Sequence, residues 1–310
     1  MWLFPYDMQK LHSSFHPFCP RKKEGFLYAY GKGQPSSILR EMTFNTGETP
    51  EELRAVYNPD GSVLRKVQSR LLEMLLYFDE VCKAIDVPYR LDGGNVLGAI
   101  RHQGFIPWDD DMDVVVEYKY YDKLCRYLAS HPHPQFAFQS PETDKGYFRF
   151  WNTLRDTKSE YIHKKKNALN DAFEYRGLQI DIFCYHPRMI PFLHRIASLY
   201  YQYAIMKGIN LSYTFAKSMF WFQRRIVNPV FYFISRLFGS KSRYMHGYGV
   251  TFPYQYPKTA LLPHGELEFE GHVFPGPADP AAFCKIQYGN FMDLPPKDKR
   301  KHHDVDYVFY

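Results

Sequence analysis

Apolar residues recur at helical spacing between Asp60 and Asp86. The apolar positions are Leu64, Val67, Leu71, Leu72, Met74, Leu75, Phe78, Val81, Cys82 and Ile85. Asp60-Gly61-Ser62 is a typical helix start, and Pro88 stops the pattern. The segment therefore predicts one long helix with a broad buried face.

Shorter apolar and alternating runs follow, which predict strands separated by helices. The predicted strands are Tyr89–Leu91, Asp113–Val116, Gln135–Gln139, Tyr147–Leu154 and Gly177–Tyr185, with short ones near Leu267–Phe269 and Val273–Phe274. A short helix is predicted over Val96–Arg101, directly after two glycines, and another over Lys119–Ser130. This alternation indicates an α+β fold, in which helices flank a mixed sheet.

The pattern divides the chain into four parts. Residues 1–60 are irregular and predict an N-terminal arm, 61–189 a catalytic core, and 251–310 a loop-rich C-terminal part that packs on the core. Residues 190–250 form an aromatic and basic region, with two or three helices predicted over 190–238. These helices either pack on the main domain or lie on a membrane surface, since basic amphipathic helices with Trp and Phe bind bilayer interfaces.

Composition narrows the classes of function. Hydrophobic residues make up 45% of the 310 residues, so a packed core is feasible, and the net charge is +6. A mild basic excess suits an anionic ligand such as a nucleotide, or an anionic membrane, but is too small and dispersed to indicate nucleic acid.

The expected setting is the cytoplasm, with the inner face of the membrane as the alternative. The five cysteines form neither a metal-ligand pattern nor a paired framework, which favours a reducing compartment. We see no signal peptide and no uncharged apolar run of membrane-spanning length, so we expect a soluble or peripheral protein.

A glycine turn follows the first predicted strand. Gly93 and Gly94 allow backbone N–H groups to approach an anion, and the next helix presents its N-terminus there. This is the outline of a phosphate site, although tight turns also use paired glycines.

The strongest chemical signal is acidic. Asp109, Asp111 and Asp113 alternate and can share one face of an extended segment, where they would repel each other without a cation. Asp181 lies in an otherwise apolar strand, where a lone charge is costly unless it is paired or binds metal. These four aspartates predict a Mg²⁺ or Mn²⁺ site. Aspartates on two adjacent strands beside a glycine turn are the site layout of the nucleotidyltransferase fold.

A specific resemblance rests on two long motifs. Leu91–Val114, LDGGNVLGAIRHQGFIPWDDDMDV, resembles the signature of the LicD family, which includes bacterial phosphorylcholine transferases and is related to fukutin and fukutin-related protein. Tyr288–Pro296, followed by Arg300 and His303, resembles the closing motif of that family, as does Phe269–Gly271. The resemblance spans roughly residues 65–185 and 255–303 and implies a nucleotidyltransferase-type sheet.

The resemblance and the residue types together predict the site. The metal ligands expected are Asp109, Asp111, Asp113 and Asp181, of which the last three are the catalytic candidates. Substrate contacts are expected from Gly93, Gly94, Asn95, Arg101, His102, Arg149, Arg155, Arg300 and His303. Many family members carry a hydroxyl residue near position 95, where Asn95 can still donate to phosphate. Arginine binds phosphate with two parallel hydrogen bonds, which favours Arg149 and Arg155 on the intervening strands.

The expected reaction is metal-dependent transfer of a phospho-alcohol, such as phosphocholine, from a CDP-activated donor to a sugar hydroxyl of a cell-surface glycan, either free or lipid-linked. Three alternatives stay open. They are a transferase that uses an NTP and leaves a nucleotidyl group, a sugar-nucleotide glycosyltransferase, which fits the glycine turn less well, and a non-catalytic membrane-surface module with a structural metal site.

Overall fold

A computed structural model describes residues 43–164, 168–303 and 305–310. The α-helices are α1 Pro50–Tyr57, α2 Val63–Ala84, α3 Gly93–His102, α4 Tyr118–Ser130, α5 Ala168–Asp171, α6 Pro191–Tyr200, α7 Tyr213–Phe222, α8 Asn228–Phe238, α9 Lys258–Leu261 and α10 Pro280–Tyr288. The strands are β1 Tyr89–Leu91, β2 Asp113–Glu117, β3 Phe136–Gln139, β4 Asn152–Asp156, β5 Ser159–His163, β6 Gln179–Pro187, β7 Arg243–His246, β8 Tyr256–Pro257, β9 Gly265–Phe269, β10 His272–Gly276 and β11 Val305–Phe309.

Within the described residues, seven strands form one mixed sheet. Its main order is β1-β2-β6-β4-β3, and β7 and β8 extend it from β6. Strands β2 and β6 are parallel, whereas the other pairs are antiparallel. The first half of β6 pairs with β4 and its second half with β7. The predicted mixed sheet with flanking helices is therefore confirmed.

Helix α2 confirms the long helix predicted from the apolar periodicity. Ser62 caps its N-terminus by accepting a hydrogen bond of 3.1 Å from the backbone N–H of Arg65. Val67, Leu71 and Phe78 are fully buried on its inner face. Each such side chain stabilises the fold by roughly 1.5–3 kcal/mol through the apolar area that leaves water.

Some element predictions need correction. Residues 1–42 of the predicted N-terminal arm lie outside the described residues, but α1 is not irregular, because Thr49 and Glu52 form a reciprocal capping box. The strand predicted over Tyr147–Leu154 begins only at Asn152 and continues to Asp156. The helix predicted from Val96 begins at Gly93, so both glycines belong to its first turn.

Three helices, α6, α7 and α8, fill the aromatic and basic region, as predicted. Tyr201 and Ile205, in the π-helical continuation Tyr201–Met206 of α6, and Phe220 on α7 are buried and join the main hydrophobic core. None of the helices in the described part of the chain is both long and apolar enough to cross a membrane.

The C-terminal part is more regular than the loop-rich segment expected. A β9–β10 hairpin contains the two short strands predicted there, and α10 follows it. Strand β11, which the sequence did not predict, pairs with β5 in antiparallel register. This pairing carries the end of the chain back towards the acidic segment.

Candidate functional site

Strands β2 and β6 place two of the predicted aspartates side by side. Asp113 and Asp181 are register partners on these parallel strands, so their side chains leave the same face of the sheet. The backbone N–H of Asp181 donates to the carbonyl of Met112 at 2.9 Å, which ties the two strands at this point. We call Asp109, Asp111, Asp113 and Asp181 the acidic cluster.

The glycine turn lies directly against the acidic cluster. A Cβ at Gly93 would lie 2.9 Å from Oδ2 of Asp113, and a Cβ at Gly94 would lie 2.9 Å from Oδ2 of Asp109. Gly93 also has φ +53, a conformation that glycine adopts without strain. The first turn of α3 therefore faces carboxylates, whose charge its N-terminus stabilises. Contact of these glycines with a donor phosphate stays a prediction.

Asn95 positions the acidic segment. Its Oδ1 accepts a hydrogen bond of 2.7 Å from the backbone N–H of Asp113, and its Nδ2 donates to the carbonyl of Asp111 at 3.2 Å. The side chain thus fixes the backbone on which two cluster aspartates stand. The sequence had suggested only a phosphate contact for Asn95.

Burial and mutual repulsion make the fully charged cluster unfavourable. Burial raises the pKa of Asp109 to about 7, and the charge of Asp110 adds to this shift. Burial and the charges of Asp111 and Asp181 raise the pKa of Asp113 well above its ordinary value. Burial also raises the pKa of Asp181, against the attraction of Arg149. Carboxylate oxygens without enough compensating positive charge around them are suitable ligands for a hard divalent cation.

Asp110 has different partners from its neighbours. Its Oδ1 lies 2.7 Å from Nδ1 of His303 and accepts from the backbone N–H of the same residue at 3.2 Å, and its Oδ2 accepts from the hydroxyl of Tyr307. Burial alone would raise the pKa of Asp110, but the hydrogen bonds and charge of His303 hold it below its usual range. Asp110 thereby attaches the end of the chain to the acidic segment.

His303 supplies positive charge to the site. The charge of Asp111 and the hydrogen bond to Asp110 raise the pKa of His303 to about 10, so its imidazole is protonated at neutral pH. Asp110, Asp111 and His303 each offer a possible metal-ligand atom, and these atoms all lie within 4.8 Å of one another. Among the described residues, this is the one group of three such side chains that is so compact. A protonated imidazole has no free lone pair for a metal. We therefore interpret this group as a charge-compensated contact, in which Nδ1 of His303 lies 2.7 Å from Asp110 and 3.6 Å from Asp111.

A cavity of about 180 Å³ opens beside the cluster. Its lining combines cationic, acidic, amide and aromatic side chains, among them Asp111, Arg149, Arg155, Asn170, Phe173 and His303. The structure thus brings three of the predicted substrate contacts, Arg149, Arg155 and His303, to one cavity with a cluster aspartate. Such a lining suits an anionic ligand that also has a flat or apolar portion.

Arg149 is the arginine most available to a ligand. Its Nη2 donates to Oδ1 of Asn170 at 3.0 Å, and its Nη1 lies 3.9 Å from Oδ1 of Asp181. That Nη1 is buried and has no hydrogen-bond partner among the described residues. Arg155, by contrast, donates from Nε to Gln139 and from Nη1 to the carbonyl of Gly177, each at 2.9 Å.

Arg101, His102 and Arg300 do not line this cavity. Arg101 donates to the carbonyl of Phe291 at 2.8 Å and from Nε to His102, whose pKa burial keeps well below its ordinary value. Arg300 donates to Glu48 at 2.7 Å and to the carbonyl of Pro295 at 2.8 Å. In the structure these residues hold the closing motif on the core, and their contact with donor phosphate stays a prediction.

Asp92 is a supporting residue that the sequence reasoning missed. Its buried Oδ1 accepts from Nη1 of Arg90 at 3.2 Å and from the hydroxyl of Tyr185 at 3.1 Å, while Oδ2 lies 2.8 Å from Nε2 of His246. The available signal was a charged residue between an apolar strand and the glycine turn. Asp92 is also the N-cap residue of α3; its side chain makes no capping hydrogen bond, and its carbonyl accepts from the backbone N–H of Asn95 at 3.1 Å.

The close approach at Gly94 yields a first prediction. Gly94→Ala should displace the carboxylate of Asp109, because the added methyl group would lie 2.9 Å from Oδ2. We expect turnover to fall by at least about tenfold, since misplaced catalytic groups lose rate steeply, while the thermal midpoint changes little. Steady-state kinetics and thermal unfolding measure the two quantities. The control is Ala281→Ser, at a half-buried position on α10. Gly271→Ala is not used, because Gly271 has a positive φ and alanine there would strain the backbone.

Comparisons with known proteins agree with this geometry. Residues 86–203 match the family model described as LicD/FKTN/FKRP, nucleotidyltransferase domain. The lipopolysaccharide cholinephosphotransferase LicD of Haemophilus influenzae is 24% identical over 269 residues, which cover 79% of this chain and 97% of that protein. The chain is therefore similar to proteins of the LicD family, and residues 86–203 carry the match to the family model.

Two further relatives are shorter matches. The uncharacterized protein RP689 of Rickettsia prowazekii is 30% identical over 99 residues, 31% of this chain and 35% of that protein. The uncharacterized protein RT0683 of Rickettsia typhi is 35% identical over 68 residues, 20% of this chain and 22% of that protein. The range that matches the LicD family model contains the glycine turn, the whole acidic cluster and Arg149, whereas His303 lies beyond it.

Proposed function

We propose that this protein transfers a phospho-alcohol, such as phosphocholine, from a CDP-activated donor to a sugar hydroxyl of a cell-surface glycan. The observation that carries the proposal is the acidic cluster at the start of the parallel strands β2 and β6, next to a cavity lined by arginines, in a chain that matches the LicD family model. The lipopolysaccharide cholinephosphotransferase that aligns with 79% of the chain supports the carried group and the glycan acceptor. A nucleotidyltransferase-type arrangement and a cytoplasmic location are parts of the same proposal.

Mg²⁺ or Mn²⁺ is the proposed cofactor. Asp109, Asp111, Asp113 and Asp181 would hold it, because their carboxylates are desolvated and repel one another, and because Gly93 and Gly94 leave room beside Asp113 and Asp109. A divalent ion bound there would neutralise the donor diphosphate and the charge that develops on the leaving group.

The cavity arginines orient the donor in this proposal. The unpartnered Nη1 of Arg149 offers hydrogen bonds to a phosphate oxygen, while Asn170 and the rings of Trp151 and Phe173 hold its guanidinium in place. Arg155 adds positive charge without needing to contact the ligand. Phosphoryl transfer depends mainly on such positioning and charge stabilisation.

Asp181 is the proposed residue that orients the acceptor. The hydroxyl of Thr153 and the amide of Gln179 donate to its Oδ1 at 3.1 and 3.0 Å, which fixes the carboxylate. An acceptor hydroxyl held by Asp181 would attack the outer phosphorus of the donor in line. The new P–O bond forms as the bond to CMP breaks, and the hydroxyl proton passes to Asp181 and then to solvent.

Release of CMP tests the proposal. CDP-choline, CDP-ribitol and CDP-glycerol are each incubated with the full chain, a glycan acceptor and Mg²⁺ or Mn²⁺, and then with EDTA. We expect metal-dependent CMP release from one donor, equal to the phospho-alcohol gained by the acceptor. Pyrophosphate release from an NTP, without CMP release from any donor, would contradict the proposal in favour of a nucleotidyltransferase. Metal binding without any turnover would favour the non-catalytic module.

A further inference from the structure

Helix α6 exposes an apolar stripe. Phe192, Ile196, Leu199 and Tyr203 follow one another at spacings of four, three and four residues and therefore share one face of α6 and its continuation. All four are exposed, Phe192 by 69% and Tyr203 by 59%.

Helix α8, the π-helical segment Gln223–Val227 before it and the last residue of α7 repeat this arrangement. Phe222, Ile226, Val230, Phe233 and Leu237 recur at spacings of three or four residues, and each is about half exposed or more. We call these five residues and the four on α6 and its continuation the apolar face. So many large exposed apolar side chains on neighbouring segments are uncommon on a protein that meets only water.

The inner sides of the same helices combine polar and apolar groups. Ser198 donates to the carbonyl of Val250 at 2.6 Å, Asn228 donates to the carbonyl of Tyr248 at 3.0 Å, and Ser235 shares a hydrogen bond of 2.5 Å with the Tyr248 hydroxyl. Ala197 and Phe231 pack in a small hydrophobic cluster around Tyr248. These inner contacts attach both helices to residues 248–250 and leave several large apolar side chains on the outside, where no contact within the described residues buries them.

The charge around the apolar face is mainly positive, although Glu142 pairs with Arg224 at 2.5 Å. The sequence contains no Asp or Glu between Asp181 and Glu266. The exposed basic residues of this region are Arg195, Lys207, Arg225, Arg236, Lys241 and Arg243. A second copy of the chain docked through the same face would place these cations opposite each other, which is unfavourable. Anionic headgroups above a hydrocarbon layer complement both the charge and the apolar side chains.

We propose that α6 and α8 dock this protein on the surface of an anionic lipid bilayer, with the apolar face inserted and the basic residues among the headgroups. The helices lie in the interface plane, since none of those described is suited to cross the membrane. This inference does not depend on the proposed transfer reaction, because the contacts that carry it involve neither the acidic cluster nor the cavity.

Vesicle co-sedimentation of the full chain tests the inference. Vesicles of phosphatidylcholine alone are compared with vesicles that contain about one quarter phosphatidylglycerol. We expect binding to the anionic vesicles that added salt weakens. The triple variant Phe222→Ser, Ile226→Ser, Phe233→Ser should bind at least about tenfold more weakly, because it removes much of the inserted apolar area. The matched control, Val56→Ser with Val273→Ser, changes exposed apolar residues elsewhere and should bind like the parent.

Several results would overturn the inference. These are failure of the parent to sediment with anionic vesicles, equal sedimentation of the triple variant, or conversion of a parent dimer to a monomer by the triple variant with no change in vesicle binding. Circular dichroism verifies the fold, and the single variant Phe233→Ser replaces the triple one if that variant unfolds. CMP release with a soluble acceptor should be the same in parent and triple variant, so failure of membrane binding and failure of the transfer reaction are distinguishable.

Discussion

Asp113→Asn should lower turnover by at least about 10³-fold while the protein stays folded, since removal of a charged group that acts at the reacting centre has effects of this size. Asp113 is the cluster member that touches Gly93 and pairs in register with Asp181. Asparagine keeps the shape of the side chain but removes the charge that would bind the cation. CMP release under saturating metal and donor measures the effect, with Asp122→Asn on the exposed side of α4 as the matched control.

Asp113→Asn should not destabilise the protein, although it lowers turnover. The pKa of Asp113 is raised by burial and by neighbouring carboxylates, so its ionised form destabilises the metal-free fold above its ordinary pKa. In EDTA at neutral pH we therefore expect Asp113→Asn to have a thermal midpoint equal to or above that of the parent. Full turnover in Asp113→Asn would remove Asp113 from the mechanism, whereas lost turnover with a lowered midpoint in EDTA would point to a structural role.

Asp92→Ala should lower the free energy of unfolding by about 3–5 kcal/mol, the cost of breaking a buried ion pair from one side. Asp92 is buried and lies within hydrogen-bond distance of Arg90, Tyr185 and His246. Its removal leaves the guanidinium of Arg90 without its carboxylate partner in an interior position. Burial would raise the pKa of Asp92, but His246 and Arg90 hold it below its ordinary value, so this stabilisation is present above the ordinary pKa and is lost at lower pH.

Urea unfolding followed by circular dichroism measures this change. Asp122→Ala, an exposed aspartate on α4, is the matched control and should stay within about 0.5 kcal/mol of the parent. A loss of less than about 1 kcal/mol for Asp92→Ala would contradict the structural assignment. Asp92 and Asp113 lie on either side of the glycine turn. If Asp92→Ala lowers the free energy of unfolding and Asp113→Asn does not, the first carboxylate supports the fold and the second serves the reaction.

The acidic cluster could be predicted because its order along the chain is local information. Alternation within 109–113 and the apolar strand around Asp181 predicted two strands with aspartates, and the structure places Asp113 and Asp181 in register. The substrate contact expected for Arg101 could not be distinguished from a capping role by sequence alone. A cation at a helix end can bind a ligand or cap neighbouring carbonyls, and only the packed structure shows that it donates to Phe291.

Partners far apart in sequence could not be predicted. His303 meets Asp110 because β11 pairs with β5, and no local pattern predicts an antiparallel pairing across so long an interval. The sequence likewise left two readings of the helical region, since an apolar stripe on a helix has the same spacing whether it faces a core or a membrane.

The sequence by itself determined the long helix α2, the strands that carry the aspartates, the glycine turn and the LicD family resemblance, because periodicity and motif spacing act over short distances along the chain. Tertiary structure alone decided that Asp110 and Asp92 are compensated by distant partners, whereas Asp109 and Asp113 have no ion pair among the described residues. It also decided which side of α6 and α8 is attached to residues 248–250 and which apolar side chains stay exposed. The physical reason is that burial and charge compensation depend on which surfaces meet, and that is a property of the packed chain.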